Sequence, residues 1–343
     1  MSYVPLAAGD AGSLGAAGNG RCISDPIPAE KTGVAGENWN AALRWSGIFD
    51  SIGGGGAMNK DSAAVRFLYG TILGRKILEL IMRTRADRLA VRFLRSSWSR
   101  PLAGWYAKRH SIPISAQQLE SFRSFRDFFA RSRGSVQIDP DPSHLISPCD
   151  GWLSAHPIHE DSSFLIKQSR YYLHDLLQDE NLAHSFHGGR CLIFRLCASD
   201  YHHYCYIDDG YQGENNYIPG TLHSVQPIAC ETYPVYVLNR RCWTLLATKN
   251  FGPVVQTEIG ALIVGGIVNP QENIRIFRGG EMGHFDLAGS TIVLLFQKER
   301  IELLPHIIQC LAQGREYRVE QGMWIGKALG WGSSHWKNKD AFF

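Results

Sequence analysis

The apolar positions change their period once along the chain. Val65, Leu68, Tyr69, Leu73, Ile77, Leu80 and Ile81 recur at helical spacing, with Arg75, Lys76 and Arg83 between them. That spacing lays one apolar face along a helix and predicts helices over residues 61–110. Residues 111–135 continue as a helical segment, with Ser115 as N-cap and Gln118 at the capping-box position. From Leu145 the pattern shortens to strand-like runs: LISPCDGWLSAHPI, SFLIKQ, RCLIFRLCA, YHHYCYI, TLHSVQPIA, PVYVL, WTLLAT, PVVQTEIGALIVGGIV, IRIF and STIVLLFQ. Gly, Pro, Asn and Asp punctuate them, as between strands. One stretch, RYYLHDLLQDENLAHSF, reads as a helical insert. Residues 1–60 carry Gly- and Ala-rich tracts such as AAGDAGSLGAAGNG, with too little apolar area to offset chain entropy. The pattern predicts an α+β chain in three parts. These are a disordered tail over 1–60, a basic amphipathic helical region over 61–135, and a β-rich, sandwich-like domain over 136–343.

Charge changes this picture in one place. The net charge of the 343 residues is only +3, so the chain as a whole is no polycation suited to nucleic acid. Residues 65–110, however, hold eleven Lys or Arg against Glu79 and Asp87, a local +9, and the rest of the chain is net acidic. Within DRLAVRFLRSSWSRPLAGWYAKRH the cations alternate with Leu, Phe, Trp and Tyr. Such a mixture suits the surface of an anionic membrane, apolar side chains dipping in and cations meeting lipid phosphate. It equally suits a basic helical pair packed on its own domain. No run of eighteen apolar residues suggests a transmembrane helix, and no basic start followed by an apolar block suggests a secretory signal. The eight cysteines form no C-x-x-C pair, which argues for free thiols in a reducing compartment and against a zinc ribbon.

Three spots carry candidate chemistry. Asp150 lies between Pro148-Cys149 and Gly151, where a tight turn holds its carboxylate in one orientation; Asp-Gly is also an ordinary turn former. Residues 198–210, ASDYHHYCYIDDG, crowd His202, His203 and Cys205 among tyrosines. Histidine suits proton transfer near neutral pH, and the three side chains could also ligate a soft metal. No second cluster supplies a further ligand, so no metal is expected. The third spot is Gly289-Ser290, a small residue before a hydroxyl at the head of an apolar strand. A serine needs a base to become a nucleophile. Asp150, a histidine near 202 and Ser290 are the residue types of a charge-relay set.

Taken in order, six segments resemble the pyruvoyl-dependent phosphatidylserine decarboxylase family: VRFLYGTILGRKI, SFRDFFARSRG, ISPCDGWL, RLCASDYHHYCYIDDG, IGALIVGGIV and GGEMGHFDLAGSTIVLLF. The likeness runs from about residue 62 to 330 and is strongest in the last segment, which matches the family's processing site. It implies a catalytic role for the β-rich domain. Ser290 would attack the carbonyl of Gly289 and turn that amide into an ester. Elimination would then cut the chain into 1–289 and 290–343, held together as a heterodimer, and leave a pyruvoyl group derived from Ser290. The pyruvoyl group would bind the amine of phosphatidylserine and accept the electrons released when carbon dioxide leaves. The product would be phosphatidylethanolamine, made by a peripheral protein on the cytoplasmic face of an anionic membrane. The resemblance makes Asp150 the relay carboxylate and His202 the acid that reprotonates the substrate carbon. At the family's relay-histidine position this chain has Cys205, and His203 stands where the family commonly has Arg. The base for self-cleavage is thus Cys205, His203 or His202, or the chain stays uncut as a lipid-binding relative. A pyruvoyl enzyme acting on another amine is the remaining alternative.

Overall fold

The computed structural model describes residues 63–330 apart from 85, 135, 167–168, 198, 262–265 and 288–289. The expected tail over 1–60 and the Gly289 side of the expected scissile bond lie outside the described residues.

The helical pattern holds from the first described residue. Helices α1 (Ala63–Gly70), α2 (Ile72–Thr84), α3 (Ala86–Leu94), α4 (Arg100–Arg109), α5 (Ala116–Ser121) and α6 (Phe125–Phe129) follow one another. α5 starts on the predicted capping box: Ser115 Oγ accepts from Gln118 N–H, and Gln118 Oε1 accepts from Ser115 N–H. These exchanges satisfy two otherwise orphaned donors. No helix among the described residues is long and apolar enough to cross a membrane.

The rest is mainly strand. In chain order the strands are β1 (His144–Ile146), β2 (Gly151–Pro157), β3 (Ser163–Ile166), β4 (Ser169–Tyr172), β5 (Arg190–Leu196), β6 (His203–Cys205), β7 (Gly210–Ile218) and β8 (Arg241–Thr248). They continue as β9 (Gly252–Gly260), β10 (Ile267–Val268), β11 (Ile274–Ile276), β12 (Glu281–Phe285), β13 (Ser290–Phe296), β14 (Ile301–Leu303), β15 (Tyr317–Val319) and β16 (Trp324–Ala328). Eight form one antiparallel sheet in the order β11-β7-β8-β9-β13-β5-β2-β15. A smaller sheet, β10-β12-β6, carries the segment that leads into β13.

β13 runs through the middle of the large sheet and is buried at every position. Strand alternation divides its side chains between two cores. Ile292, Leu294 and Phe296 pack with Leu196, Phe194 and Leu153 on one face; Val293 and Leu295 pack with Ile193, Val255 and Ile259 on the other. A continuous apolar run is what a strand covered on both faces requires. By the same alternation Ser290 faces the first core. A third cluster joins α3, α4 and α6 through Leu94, Tyr106, Phe125, Phe128 and Phe129, and takes in one residue from the far end of the chain, Leu287.

Two readings of the pattern are corrected. The runs TLHSVQPIA and PVYVL are not strands: residues Pro227–Thr232 and Val235–Leu238 are short helices. Short apolar runs do not distinguish a strand from a buried helical turn; here Ala229, Cys230, Val235 and Tyr236 are buried in the second core. The helical insert is also shorter than its pattern, since Ser169–Tyr172 pairs with β3 before helices form at Leu173–Leu177 and Glu180–His184. Among the described residues the seven cysteines are all free.

Arg241, at the start of β8, is 2% exposed. Its guanidinium donates to the carbonyls of Asp175 (2.7 Å), Leu176 (2.6 Å), Val237 (2.6 Å) and Asn239 (3.1 Å). One side chain thus closes the C-terminal carbonyls of two short helices that no neighbouring turn satisfies. Replacing it with Met strands those acceptors in the interior. Arg241→Met is expected to cost about 3–5 kcal/mol of stability, seen as a lower urea midpoint with an unchanged slope; a midpoint equal to wild type would refute the assignment.

Candidate active site

The register of the large sheet puts two of the sequence candidates at one end of it. Ser290, 1% exposed, opens β13 and pairs with Leu196 of β5 on one side and Gly260 of β9 on the other. β2 runs along the far side of β5, with Trp152 opposite Arg195, so Gly151 meets the same end of β5 that Ser290 meets. Gly151 has φ +154°, and a Cβ there would lie 2.9 Å from the Arg195 carbonyl oxygen. Only glycine lets the Asp150 turn close against the sheet at this point. Asp150 and Ser290 therefore stand about two strand spacings, ~10 Å, apart along the sheet end.

The Asp150 turn is built from its own backbone and its neighbours. Ser147 Oγ donates to the Cys149 carbonyl at 2.7 Å, and the Cys205 N–H donates to the Pro148 carbonyl at 2.9 Å. The Asp150 carboxylate accepts two hydrogen bonds from Arg133, at 2.8 and 3.2 Å, and a third from the Gln321 N–H at 2.8 Å. Arg133 lies over the Tyr201 ring, 4.7 Å from its centroid. Asp150 is thus held by an arginine and a backbone N–H rather than by a histidine. A paired arginine fork is the strongest carboxylate partner available to a protein.

The two histidines, adjacent in sequence, have different surroundings. The His202 ring is buried against Phe129, with centroids 4.3 Å apart. Its Nδ1 lies 2.9 Å from the Asp200 carbonyl oxygen. A carbonyl can only accept, so Nδ1 carries the hydrogen and Nε2 the lone pair. Nε2 is buried and has no hydrogen-bond partner among the described residues. Burial drives the ring's pKa down to about 3, the Arg131 and His203 charges adding to the effect and the Asp200 carbonyl opposing it. His202 is accordingly a neutral ring with an unused lone pair. The Asp200 carboxylate is held by Arg318 at 2.7 Å and by the Cys197 N–H at 2.7 Å, which fixes the carbonyl that orients His202.

His203 has no such freedom. Nδ1 is 2.9 Å from Glu281 Oε1 and Nε2 is 3.1 Å from the Ala130 carbonyl oxygen. The ring stacks on Tyr201 at 4.6 Å and on His284 at 4.8 Å. Both nitrogens are thus engaged with oxygen atoms of neighbouring groups. His203, Glu281 and His284 bring ligand-type atoms within 4.8 Å of one another. The two rings are within 20° of parallel, however. The lone pairs of stacked imidazoles lie in separate planes and do not converge on one ion, so this cluster is not assigned as a metal centre.

Cys205 is buried in the first core, and its Sγ lies 4.0 Å from the Ser147 carbonyl oxygen. Burial pushes its pKa up to about 12, against a lowering by Gln321 and Arg278. At neutral pH it is a thiol and not the thiolate that a base would need.

Other polar groups had no signal in the sequence pattern. Arg133, Asp200, Arg318 and Gln321 hold the candidates, yet each is an ordinary surface-type residue in the sequence. Glu258 is fully buried one strand away, opposite Ile292 and on the face that Ser290 shares. It accepts from Gln256 and Asn269, both at 2.9 Å, and burial raises its pKa to about 7 in spite of those bonds. A carboxylate in the midst of the run PVVQTEIGALIVGGIV was the one visible oddity.

Comparison with known proteins gives the family of the chain. The family model for phosphatidylserine decarboxylase matches residues 125–326. A phosphatidylserine decarboxylase proenzyme 2 of Clostridium acetobutylicum is 40% identical over 267 residues, covering 77% of this chain and 91% of that protein. Phosphatidylserine decarboxylase proenzymes of Ruminiclostridium cellulolyticum and Clostridium perfringens are 37% and 34% identical, each covering 76% of this chain and 90% or more of their own length. The matched span runs from the Phe-rich helix α6 to β16 and so includes the sheet end with Ser290 and Asp150, His202 with the β6 strand that follows it, and the strands that position them: the chain belongs to the phosphatidylserine decarboxylase family of enzymes.

Proposed function

We propose that the chain is a proenzyme that cuts itself between Gly289 and Ser290 and then converts phosphatidylserine to phosphatidylethanolamine. The observation that carries this reading is the His202 ring, whose Nε2 lone pair is buried and without a partner among the described residues. His202 lies on the strand pair that feeds the cleavage segment, its carbonyl accepting from the Phe285 N–H at 2.9 Å.

In self-cleavage the Ser290 hydroxyl loses its proton as Oγ attacks the Gly289 carbonyl carbon. His202 Nε2 is the acceptor assigned to that proton, because it is oriented and without a partner among the described residues, whereas both His203 nitrogens already face Glu281 and the Ala130 carbonyl and Cys205 is a buried thiol. The proton returns to the departing nitrogen as the amide becomes an ester. Removal of the Ser290 Cα hydrogen then expels the Gly289 carboxylate, and hydrolysis releases ammonia. Asp150, fixed by Arg133, acts as the carboxylate that keeps this end of the sheet polar and oriented.

The residues at the head of β13 fit a pyruvoyl group made in this way. The strand is held by a ladder on each side, which fixes the new terminus rigidly. When formed, the group supplies an electron sink for decarboxylation. His202 is assigned the proton transfers at this end: Nε2 accepts a proton only transiently as the substrate's ammonium is deprotonated, and returns one to carbon once carbon dioxide has left. The free lone pair thus makes His202 a donor only after it has been an acceptor.

Substrate delivery falls to the helical region. On α2, Gly74 and Leu78 face the protein, while Ile72, Leu73, Ile77 and Leu80 face outward, Ile72 at 71% exposure. Leu89 and Trp98 are more exposed still, at 74% and 83%. An apolar surface of this extent among Arg75, Lys76, Arg83 and Arg92 suits the headgroup boundary of an anionic bilayer. The protein then acts from the cytoplasmic face as a peripheral enzyme. Binding to phosphatidylserine vesicles is expected to fall at least tenfold between about 0.1 and 0.5 M salt, and Leu73→Asp with Ile77→Asp is expected to abolish it. Co-sedimentation that is indifferent to salt would sink the electrostatic part.

The test of the function as a whole is a denaturing gel with intact mass, followed by incubation with phosphatidylserine vesicles. Two fragments, 1–289 and 290–343 with a blocked N-terminus, and release of phosphatidylethanolamine are the expected results. An uncut chain would remove the enzymatic reading. A cut chain active only on a soluble amine would change the substrate.

A further inference from the structure

Residues 285–287, shortly before Ser290, are each gripped by a different part of the molecule. Phe285 closes β12 and is buried in the first core. Leu287 is buried in the third core, among Leu94 and the phenylalanines of α6. Between them Asp286 is 2% exposed, and its carboxylate meets two arginines of the helical region. Arg95, just after α3, donates through Nη2 to Oδ2 at 2.9 Å. Arg126, within α6, donates through Nε to Oδ1. The Asp286 N–H donates to the Gly266 carbonyl at 2.8 Å, and Gly266 comes so close that a Cβ there would lie 2.6 Å from Asp286 Cβ. Beyond Leu287 the chain needs only Ala288 and Gly289 to reach Ser290, which is fixed in the sheet.

We propose that Asp286, clamped by Arg95 and Arg126, is a positioning residue for self-cleavage, and that the helical region is thereby a working part of the processing machinery. The inference rests on the reading of Gly289–Ser290 as the scissile bond. A hydroxyl attacking the carbonyl of the residue before it must be held in one uncommon backbone shape. A displacement of about 1 Å costs such a reaction on the order of a hundredfold. Asp286 and Leu287 together anchor one end of the short link and Ser290 the other, so the place where Asp286 is pinned sets the span that the link has to cross. A buried carboxylate needs charged or hydrogen-bonding partners, and the two arginines supply them, so they decide that place. They come from elements far from Asp286 in sequence, and a pair of guanidinium groups gives a directed grip that one lysine would not. Neither arginine is deeply buried: the side chains are 53% exposed for Arg95 and 39% for Arg126. They can be altered without opening a cavity in the core.

The experiment follows cleavage of the full chain made by cell-free translation, sampled over time on a denaturing gel. Wild type, Ser290→Ala, Asp286→Asn, Asp286→Glu, Arg126→Lys and Arg95→Gln are compared. Thermal midpoints are measured for the last four in the uncut Ser290→Ala background. Asp286→Asn is expected to slow cleavage by about a hundredfold, Arg126→Lys and Arg95→Gln by smaller factors, and Asp286→Glu to recover most of the rate. The midpoints of the Arg variants should stay near that of Ser290→Ala, because a purely structural ion pair would move the midpoint and not the rate. If Asp286→Asn is cut as fast as wild type while Ser290→Ala remains uncut, the proposal is wrong and the scissile-bond reading stands. If wild type itself remains uncut, the scissile-bond reading is wrong. Should Asp286→Asn fail to fold, wild-type rates in both Arg126→Lys and Arg95→Gln overturn the proposal.

Discussion

Ser290→Ala is expected to leave a single chain of 343 residues with no decarboxylase activity. In the proposed mechanism the hydroxyl is the nucleophile and its oxygen departs with the Gly289 carboxylate, which leaves the Ser290 carbons as the new N-terminal group, so loss of the hydroxyl removes both cleavage and the group that cleavage makes. The substitution itself is mild. Ser290 is buried at the head of a strand paired on both sides, and alanine keeps the backbone of that ladder. The variant should therefore fold and provide the stable proenzyme. Ser290→Cys keeps a nucleophile at the same atom position and should still cut, through a thioester. Intact mass separates the outcomes: one peak for Ser290→Ala, two for wild type. Cleavage of Ser290→Ala at the wild-type position would remove Ser290 from the mechanism altogether. Cys205→Ala, made alongside, should cut at a rate close to wild type, because the thiol it removes is buried and protonated at neutral pH.

His202→Gln carries the second large effect. Glutamine can still donate to the Asp200 carbonyl, but it neither accepts nor delivers a proton. Cleavage and turnover should each fall by about 10²–10⁴, the usual worth of a positioned acid–base group. His203→Gln should fall much less, since that ring is committed to Glu281 and the Ala130 carbonyl. Equal losses in the two variants would refute the assignment of roles. The same ring predicts a stability change with pH. His202 titrates near 6.5 when unfolded and at about 3 in the fold because of burial. Between those values the unfolded chain binds a proton that the folded chain does not. The stabilisation is complete above 6.5 and is lost as pH falls, at up to about 1.4 kcal/mol per pH unit. Urea unfolding at pH 7.5 and 5.5, in the uncut Ser290→Ala background, should show a larger acid loss when His202 is kept than when it carries His202→Gln as well. Identical losses would mean that the ring is protonated in the folded chain.

Much of this enzyme can be read from local pattern, where the physics is local. The capping box at Ser115 and Gln118 needs only residues three apart, and it formed as spaced. The apolar run 290–296, rich in β-branched residues and ended by charge, reads as a core strand, and it lies within the large sheet between β9 and β5. The basic, apolar-studded helices α2 and α3 were visible from their period and charge. Other features depend on neighbours that the chain brings together only on folding. β7, GYQGENNYI, has no apolar alternation, yet it is an inner strand of the sheet because β8 and β11 supply its partners. PVYVL looked extended and is a helical turn, since its burial comes from packing on the second core and not from a pleat.

The sequence by itself determined the family, through the order of its segments, and named the candidate residues: Ser290 before an apolar strand, Asp150 in a tight turn and two histidines side by side. It could not assign their duties. Consecutive residues of an extended segment point to opposite sides, so His202 and His203 were equivalent until β12 and α6 packed around them. Only the tertiary structure decided that one ring keeps an Nε2 without a partner among the described residues while the other meets oxygen on both sides, that Arg133 and not a histidine holds Asp150, and that the helical region reaches the segment before Ser290 through Asp286. Each of these is a long-range contact, and proton affinity and orientation are set by contacts of that kind.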